Sequence, residues 1–471
     1  MALLFRIRER QSTPAREVVG GLTTFMAMSY ILFVQPAVLS MAGMDSGGVF
    51  MATCIASAAA CVLMGLASNY PIALAPGMGE NFFFVFTLCG VGAGAGVFRL
   101  TWPEALALTA GVGAIFLLMS TVGLRSMLLN AIPDALKSGI AAGIGLFIAL
   151  IGFEWGNLIR HDAATCVHLA DIHGNYVAAL TLAGLGVVMV LMAFRVRGAI
   201  LIGILATTVA TWAVGALTPV ETISFHGVVG VPRGLDQTAG AFWNGFGTLG
   251  GKLLGEHALE VVGFAFVLLF MDLFDTVGTL VGVASRAKLM VDGRLPRAQH
   301  ALMADAAGTV VGGCLGTSTV TSFIESVTGV ASGARTGLAA IVTGACMLAA
   351  LFFQPLVQMI GGGVNIAPAG AAPILRYPMI APALIVVGAM MMRAMREIDW
   401  DDVTESLPAF LAMVSIPFTF SIATGIAIGF VSYAFGKLIS GRAKQCSIIV
   451  YVFAALFILQ YALGAWTHAI P

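Results

Sequence analysis

Charge is what this sequence lacks. Only 10% of its 471 residues are Asp, Glu, Lys or Arg, while 59% are hydrophobic and the mean hydropathy is +0.98. A soluble domain usually carries about 25% charged residues. So few charges cannot cover a water-facing surface, so the chain reads as an integral membrane protein. Its unit of organisation is then the span of ~20 apolar residues. Neither sign is in excess, with a formal net charge of zero, so nothing points to nucleic acid or another polyanion. The seven cysteines (Cys54, Cys61, Cys89, Cys166, Cys314, Cys346, Cys446) form no CxxC pair, and most sit in apolar runs. They read as small buried hydrophobes, not as disulfides or metal ligands. No HExxH motif and no nucleophile–base pair stands out, so an enzyme has no support and no cofactor or metal is implied. The glycines, including GVGAGAG at 90–96, fit no P-loop. ATP-driven transport therefore has no support, and these glycines read as helix contacts and turns. The first residues carry Arg6, Arg8, Arg10 and Arg16 without a short apolar run and cleavage site, which reads as a cytoplasmic tail and not a signal peptide.

What is present is a series of apolar runs: 17–43, 48–68, 71–92, 104–122, 133–153, 175–194 and 198–217. A more polar stretch, 218–252, intervenes. The runs resume at 256–283, 299–314, 316–332, 336–359, 377–395, 406–420 and 421–440. A last run, 446–466, is either a further span or an interfacial helix. Seven runs, a break and seven more suggest a duplication. With the amino terminus in the cytoplasm and the sides alternating, the outside holds only Arg99, Arg160, Arg233, Lys252 and Arg376. All other Lys and Arg fall inside, as the positive-inside rule expects. An odd number of spans per half inverts one half relative to the other. Register agrees: Met26 aligns with Met271, and Asn81 with Glu325, at nearly the same offset. The expected fold is an all-α polytopic membrane protein with 14 transmembrane segments as two inverted seven-helix repeats. The halves are 1–217 and 256–440, joined by 218–255 and followed by a C-terminal apolar tail, 441–471. Inverted repeats with binding at the midplane are a recurring transporter plan.

Two runs do not read as full helices. In PIALAPGMGENFFFVF, 71–86, Pro71, Pro76, Gly77 and Gly79 would break a helix. In GTSTVTSFIESVTG, 316–329, the first half is rich in threonine and valine, which favours extended chain. Each reads as a short extended piece followed by a half-helix. Extended backbone at membrane depth is tolerated only where protein or a water-filled cavity satisfies it. A half-helix start also exposes free N–H groups. Asn81 and Glu325 would both lie in such first turns. Ser322-Phe-Ile-Glu325 also fits an S-x-x-E capping box. An intramembrane glutamate is costly and functional by default, so a ligand contact is the preferred reading; the two can coexist. Asn81 could equally be a helix cap or a helix–helix hydrogen bond.

The third signal is MDLFDTVGTL, 271–280, which follows the uncharged run VVGFAFVLLF. Asp272 and Asp275 lie about 300° apart on a helix and share one broad face. One could bind ligand while the other supports it. Thr276 and Thr279 extend that face and Gly278 leaves room beside it. A buried structural pair is the plainer alternative. Phe323 could stack on a flat ring, or simply pack.

At these residues the chain resembles the nucleobase–cation symporter-2 (xanthine/uracil permease) superfamily, most of all its AzgA-like branch of adenine/guanine/hypoxanthine permeases. The matching stretches are FMAMSYILFVQPAVL, ALAPGMGENFFFVF, LFMDLFDTVGTL, GTSTVTSFIESVTGVASGARTG and PFTFSIATGIAIGF. The resemblance implies a core domain of spans 1–4 and 8–11 that holds the site, and a gate domain of spans 5–7 and 12–14 that moves against it. It also leaves open a homodimer through the gate domain. It places Asp275 at the ligand-binding acidic position of the eighth span, with Thr279 one turn later. It places Glu325 at the acid opening the tenth, Phe323 at the aromatic flanking the base, and Asn81 at the third-span asparagine. Glu80 stands where an apolar residue is expected, Gln35 where asparagine is commoner, and Thr424 where an acid or amide is usual.

The chemistry agrees. Guanine offers adjacent N1–H and N2–H donors that a carboxylate accepts bidentately. No Lys or Arg lies in these segments, and a carboxylic acid buried without a cation favours its neutral, proton-carrying form. Asp275 and Glu325 are thus expected to couple a proton, with Asp272 supporting. The sequence is read as a proton-coupled importer of purine nucleobases, working by alternating access in the plasma membrane, with a bacterial inner membrane expected. The alternative is a small-anion carrier of a related inverted-repeat fold, which would favour bare half-helix ends and a basic residue.

Overall fold

Most apolar runs fold as helices where their hydropathy marks them, because a backbone in a bilayer must satisfy its own hydrogen bonds. The computed structural model describes residues 5–92, 98–122, 132–162, 164–217, 223, 225, 227–290, 295–367 and 373–468. The glycine run from residue 93 on, His226, and the basic residues Arg125 and Arg294 lie outside these.

Helix α1 (Pro14–Met28) starts on Thr13, whose side chain accepts from the Arg16 N–H, with proline at its first position. The first run is not one helix: it breaks at Ser29 and Tyr30 and resumes as α2 (Ile31–Ser40). Helix α3 (Ser46–Ala67) starts on an Asp45 cap. Strand β1 (Leu74–Pro76) leads to α4 (Met78–Phe82), which runs into a π-helical turn, Phe83–Leu88. Helices α5 (Trp102–Val122) and α6 (Asp134–Trp155) follow. A hairpin of β2 (Ile159–Asp162) and β3 (Cys166–Leu169) precedes α7 (Tyr176–Ala193) and α8 (Ala199–Leu217).

The polar connecting stretch contains an unexpected helix, α9 (Ala241–Leu253). Its apolar residues fall three to four apart, so Phe242, Gly245 and Leu249 face inward while Trp243 is exposed. Next come α10 (Ala258–Arg286), α11 (Ala298–Leu315), β4 (Val320–Ser322) and α12 (Ser326–Ala331). Helix α13 (Gly337–Ala350) passes through a 3₁₀ turn into α14 (Gln354–Gly361). A two-stranded pair, β5 (Val364–Asn365) and β6 (Leu375–Arg376), precedes α15 (Ala381–Met391), α16 (Val403–Thr419) and α17 (Ile422–Ile439). The last run is α18 (Ile448–His468), packed on α17 and α10. Among the described residues, nine helices are long and apolar enough to cross a membrane.

The helices pack in two groups. Helices α1–α3, α5, α9 and α11–α13 lie mainly on one another, while α6, α7, α8, α15, α16 and α17 form the second group. Helix α4 and its π turn, with α10, touch both. Close approach within the second group depends on glycine: a Cβ at Gly145 of α6 would come 2.8 Å from the Gly388 carbonyl of α15.

Candidate functional site

Strands β1 and β4 pair antiparallel, Leu74 against Ser322, Ala75 against Thr321 and Pro76 against Val320. The Gly77 N–H donates to Thr319 O at 3.0 Å, and the Phe323 N–H to Ala73 O at 2.9 Å. Each extended piece thus satisfies the other's backbone where no water is at hand. Helices α4 and α12 leave this crossing from opposite ends. Distant parts of the chain therefore meet at one place.

Asn81 is fully buried in the first turn of α4. Its side-chain carbonyl accepts from the Ser318 hydroxyl. Its amide nitrogen has no hydrogen-bond partner among the described residues. Beside it, Gln35 Nε2 donates to Thr317 Oγ1 at 2.8 Å and Ser318 Oγ at 3.1 Å. Glu325 is buried at the N-cap of α12, one residue before the helix proper. The capping box is not formed: the Ser322 hydroxyl donates instead to Thr276 O at 3.1 Å. The Glu325 carboxyl is left for a distant partner, accepting from the Tyr30 hydroxyl at 2.8 Å. The Tyr30 ring tilts against Phe323, with centroids 6.4 Å apart.

Asp275 lies on α10 and is half-buried. It feels the charges of Glu325 and Asp305, and the Thr321 side chain hydrogen-bonds it. Thr279 is buried one turn further on, and Asp272 is fully buried one turn before. A Cβ at Gly278 would meet nothing within 4 Å, so there is open space beside Asp275 on α10. The Thr276 hydroxyl donates to Asp305 Oδ1 at 2.7 Å and lies 2.9 Å from Thr321 Oγ1. The hydroxyls of Thr276 and Thr321 thus stand between the carboxyls of Asp305 and Asp275.

Sequence reasoning singled out Asp275, Glu325, Asn81, Phe323, Thr279 and Asp272. The structure brings Asp275, Glu325 and Phe323 together with Tyr30, which the sequence reading passed over. It also missed Asp305, a lone acid in the apolar run 299–314, which the rule applied to Asp275 would have found. Glu80, noted only as out of place, is buried and feels the charges of Asp275 and Asp305. Among the described residues, no Lys or Arg stands among the groups whose charges act on Glu80, Asp275 or Glu325.

Broken helices that cross inside a membrane, with acids and aromatics at the crossing, are the build of a secondary transporter. Known proteins agree. The sequence model of a permease family, the xanthine/uracil permeases, matches residues 15–428. The guanine/hypoxanthine permease PbuG of Bacillus subtilis is 41% identical, covering 98% of this chain and 99% of its own length. The adenine permease AdeP of Escherichia coli is 36% identical, covering 97% and 95%. In fold, the chain resembles the transmembrane domain of the cyanobacterial bicarbonate transporter BicA, with a TM-score of 0.59 at 12% identity, covering 88% of this chain and 97% of that one. The chain belongs to the xanthine/uracil permease (nucleobase–cation symporter-2) family. It is an integral membrane transporter and not an enzyme.

Proposed function

We propose that this chain imports purine nucleobases, guanine or hypoxanthine and/or adenine, by proton symport with alternating access. The observation that carries the reading is the meeting of Asp275, Glu325, Tyr30 and Phe323 with no cation acting on the acids. Carboxylates accept the paired N–H groups of a purine, and an aromatic beside them stacks on its ring. Asp275 and Glu325 hold the base and exchange the proton. Asn81, Phe323 and Thr279 line the base, and Asp272 supports from behind. Relatives named as guanine/hypoxanthine and adenine permeases support this substrate class.

The architecture belonging to this reading has 14 spans in two inverted halves, 1–217 and 256–440. The core comprises spans 1–4 and 8–11, and the gate spans 5–7 and 12–14. The two packing groups support that division. The protein sits in a bacterial inner membrane with its amino terminus in the cytoplasm, and a homodimer would form through the gate.

The small-anion reading draws on the fold likeness to BicA, which at 12% identity concerns fold alone. An anion entering here would meet carboxyls without a basic residue. Competition separates the two: unlabelled guanine, hypoxanthine and adenine should block uptake of a labelled purine, while bicarbonate, chloride and sulfate should not. Asp275→Asn and Glu325→Gln should each abolish concentrative uptake while still reaching the membrane. Block by simple anions alone, or normal accumulation by both variants, would refute the assignment.

A further inference from the structure

Beside the N-terminal tail lies a cavity of about 210 Å³. The tail, the turn between α3 and β1, Leu289 just after α10, and Pro296 and Arg297 just before α11 line it. Arg6, Arg10 and Arg297 line it, together with Tyr70 and Glu9. The tail gives Arg6 and Arg10, and the turn gives Tyr70.

Three features of this cavity point to the same kind of occupant. The first is charge. Arg297 and Arg6 each repel the charge on Arg10, which burial already disfavours. Tyr70 and Glu17 offset part of that, and Glu9 sits 3.8 Å from Arg6, but Arg297 makes no ion pair with any described residue. The second is a stranded donor. Tyr70 is 1% exposed, and its hydroxyl has no hydrogen-bond partner. A buried hydroxyl left so is destabilising. The third is helix α11, whose N-cap is Arg297 in the left-handed region (φ 58°), with no side-chain cap bond. An uncapped helix start favours an anion.

Arg10 is held in place meanwhile. Its Nη1 donates to Asn69 O at 2.9 Å and Arg335 O at 2.8 Å. The guanidinium also sits 5.9 Å from the Tyr70 ring centroid. Such a side chain is positioned in advance and costs little further ordering on binding.

We propose that this cavity is a binding site for an anionic phosphoryl group. Arg297 and Arg6 supply exposed charge, Arg10 supplies a fixed guanidinium, and Tyr70 supplies a neutral donor. One phosphoryl group would relieve the mutual repulsion and satisfy the stranded hydroxyl together. The same phosphoryl chemistry is carried by a membrane lipid headgroup and by a soluble phosphate, and the test separates the two.

The test uses the purified full-length chain and reads its melting temperature. In one arm, detergent-solubilised protein is titrated with inorganic phosphate against chloride at equal ionic strength. In the other, the protein is placed in nanodiscs of phosphatidylcholine alone or mixed with phosphatidylglycerol. Saturable stabilisation by phosphate identifies a soluble ligand. Stabilisation by phosphatidylglycerol with phosphate silent identifies the lipid. In either case Arg297→Gln should weaken the response about tenfold or more, as loss of a charge-assisted hydrogen bond does. Tyr70→Phe should weaken it less, and labelled purine uptake should show that both variants are folded. Equal melting temperatures in phosphate and chloride and in both nanodiscs would overturn the proposal. So would an undiminished response in Arg297→Gln.

Discussion

A carboxyl group in a membrane interior needs a reason, and at residue scale Asp275 and Glu325 supply one through their company. Glu325 is held by the Tyr30 hydroxyl, and Asp275 by Thr321, while among the described residues neither has a cation to settle its charge. Tyr30→Phe removes one hydrogen bond and little volume. It should weaken purine uptake by about 0.5–3 kcal/mol, depending on whether Glu325 is neutral or charged when the base binds. A KM series for Tyr30→Phe across pH reads this directly, and an unchanged KM at every pH would contradict it. Thr276→Val removes the donor to Asp305 Oδ1 and breaks the hydroxyl chain to Asp275. The cost should be about 1–3 kcal/mol, seen as a lower melting temperature than the wild type. Thr276→Ser, which restores the hydroxyl, should recover most of it. Asp275, Glu325 and Asn81 were legible because each interrupts an apolar run. Tyr30 was not, because an aromatic in such a run is ordinary until its hydroxyl finds a partner far along the chain. The capping-box alternative at Ser322 failed for a similar reason: Thr276 O, distant in sequence, took the hydroxyl that the local pattern assigned to the helix start.

At the scale of elements, the broken helices were legible from chemistry alone. Pro76 and Gly77, and the Thr/Val-rich stretch 316–321, exclude helix, and both places fold as strands. Their pairing was not legible, since no local signal sets Ala75 opposite Thr321. The break at Ser29 and Tyr30 was hidden within one continuous apolar run, and α9 was hidden by the polarity of its surroundings. Two glycines make opposite predictions at this scale. At Gly388 a side chain would meet the Gly145 backbone, so Gly388→Leu should overpack the α6–α15 contact by about 1–3 kcal/mol or more. Reduced yield and melting temperature would report it. At Gly278 the space is open. Gly278→Met should therefore leave folding intact, with the wild-type melting temperature, yet lower purine uptake by filling the space beside Asp275. Normal uptake by that variant would place the base elsewhere.

For the whole molecule, two packing groups meet around α4, its π turn and α10. The rings of Phe86, Phe147 and Phe420 touch across that meeting, with centroids 5.3 to 6.2 Å apart. Such edge contacts are weak one by one, which suits the separation that the proposed alternating access would require. The most direct measurement is made on the purified chain in liposomes without sodium, with an inward proton gradient imposed and labelled guanine or hypoxanthine outside. A carrier whose buried acids hold both base and proton accumulates the purine above equilibrium, and a protonophore collapses the gain. Asp275→Asn and Glu325→Gln liposomes should show none. Accumulation that ignores the proton gradient and follows sodium, or that survives in both variants, would contradict the central role given to these two acids.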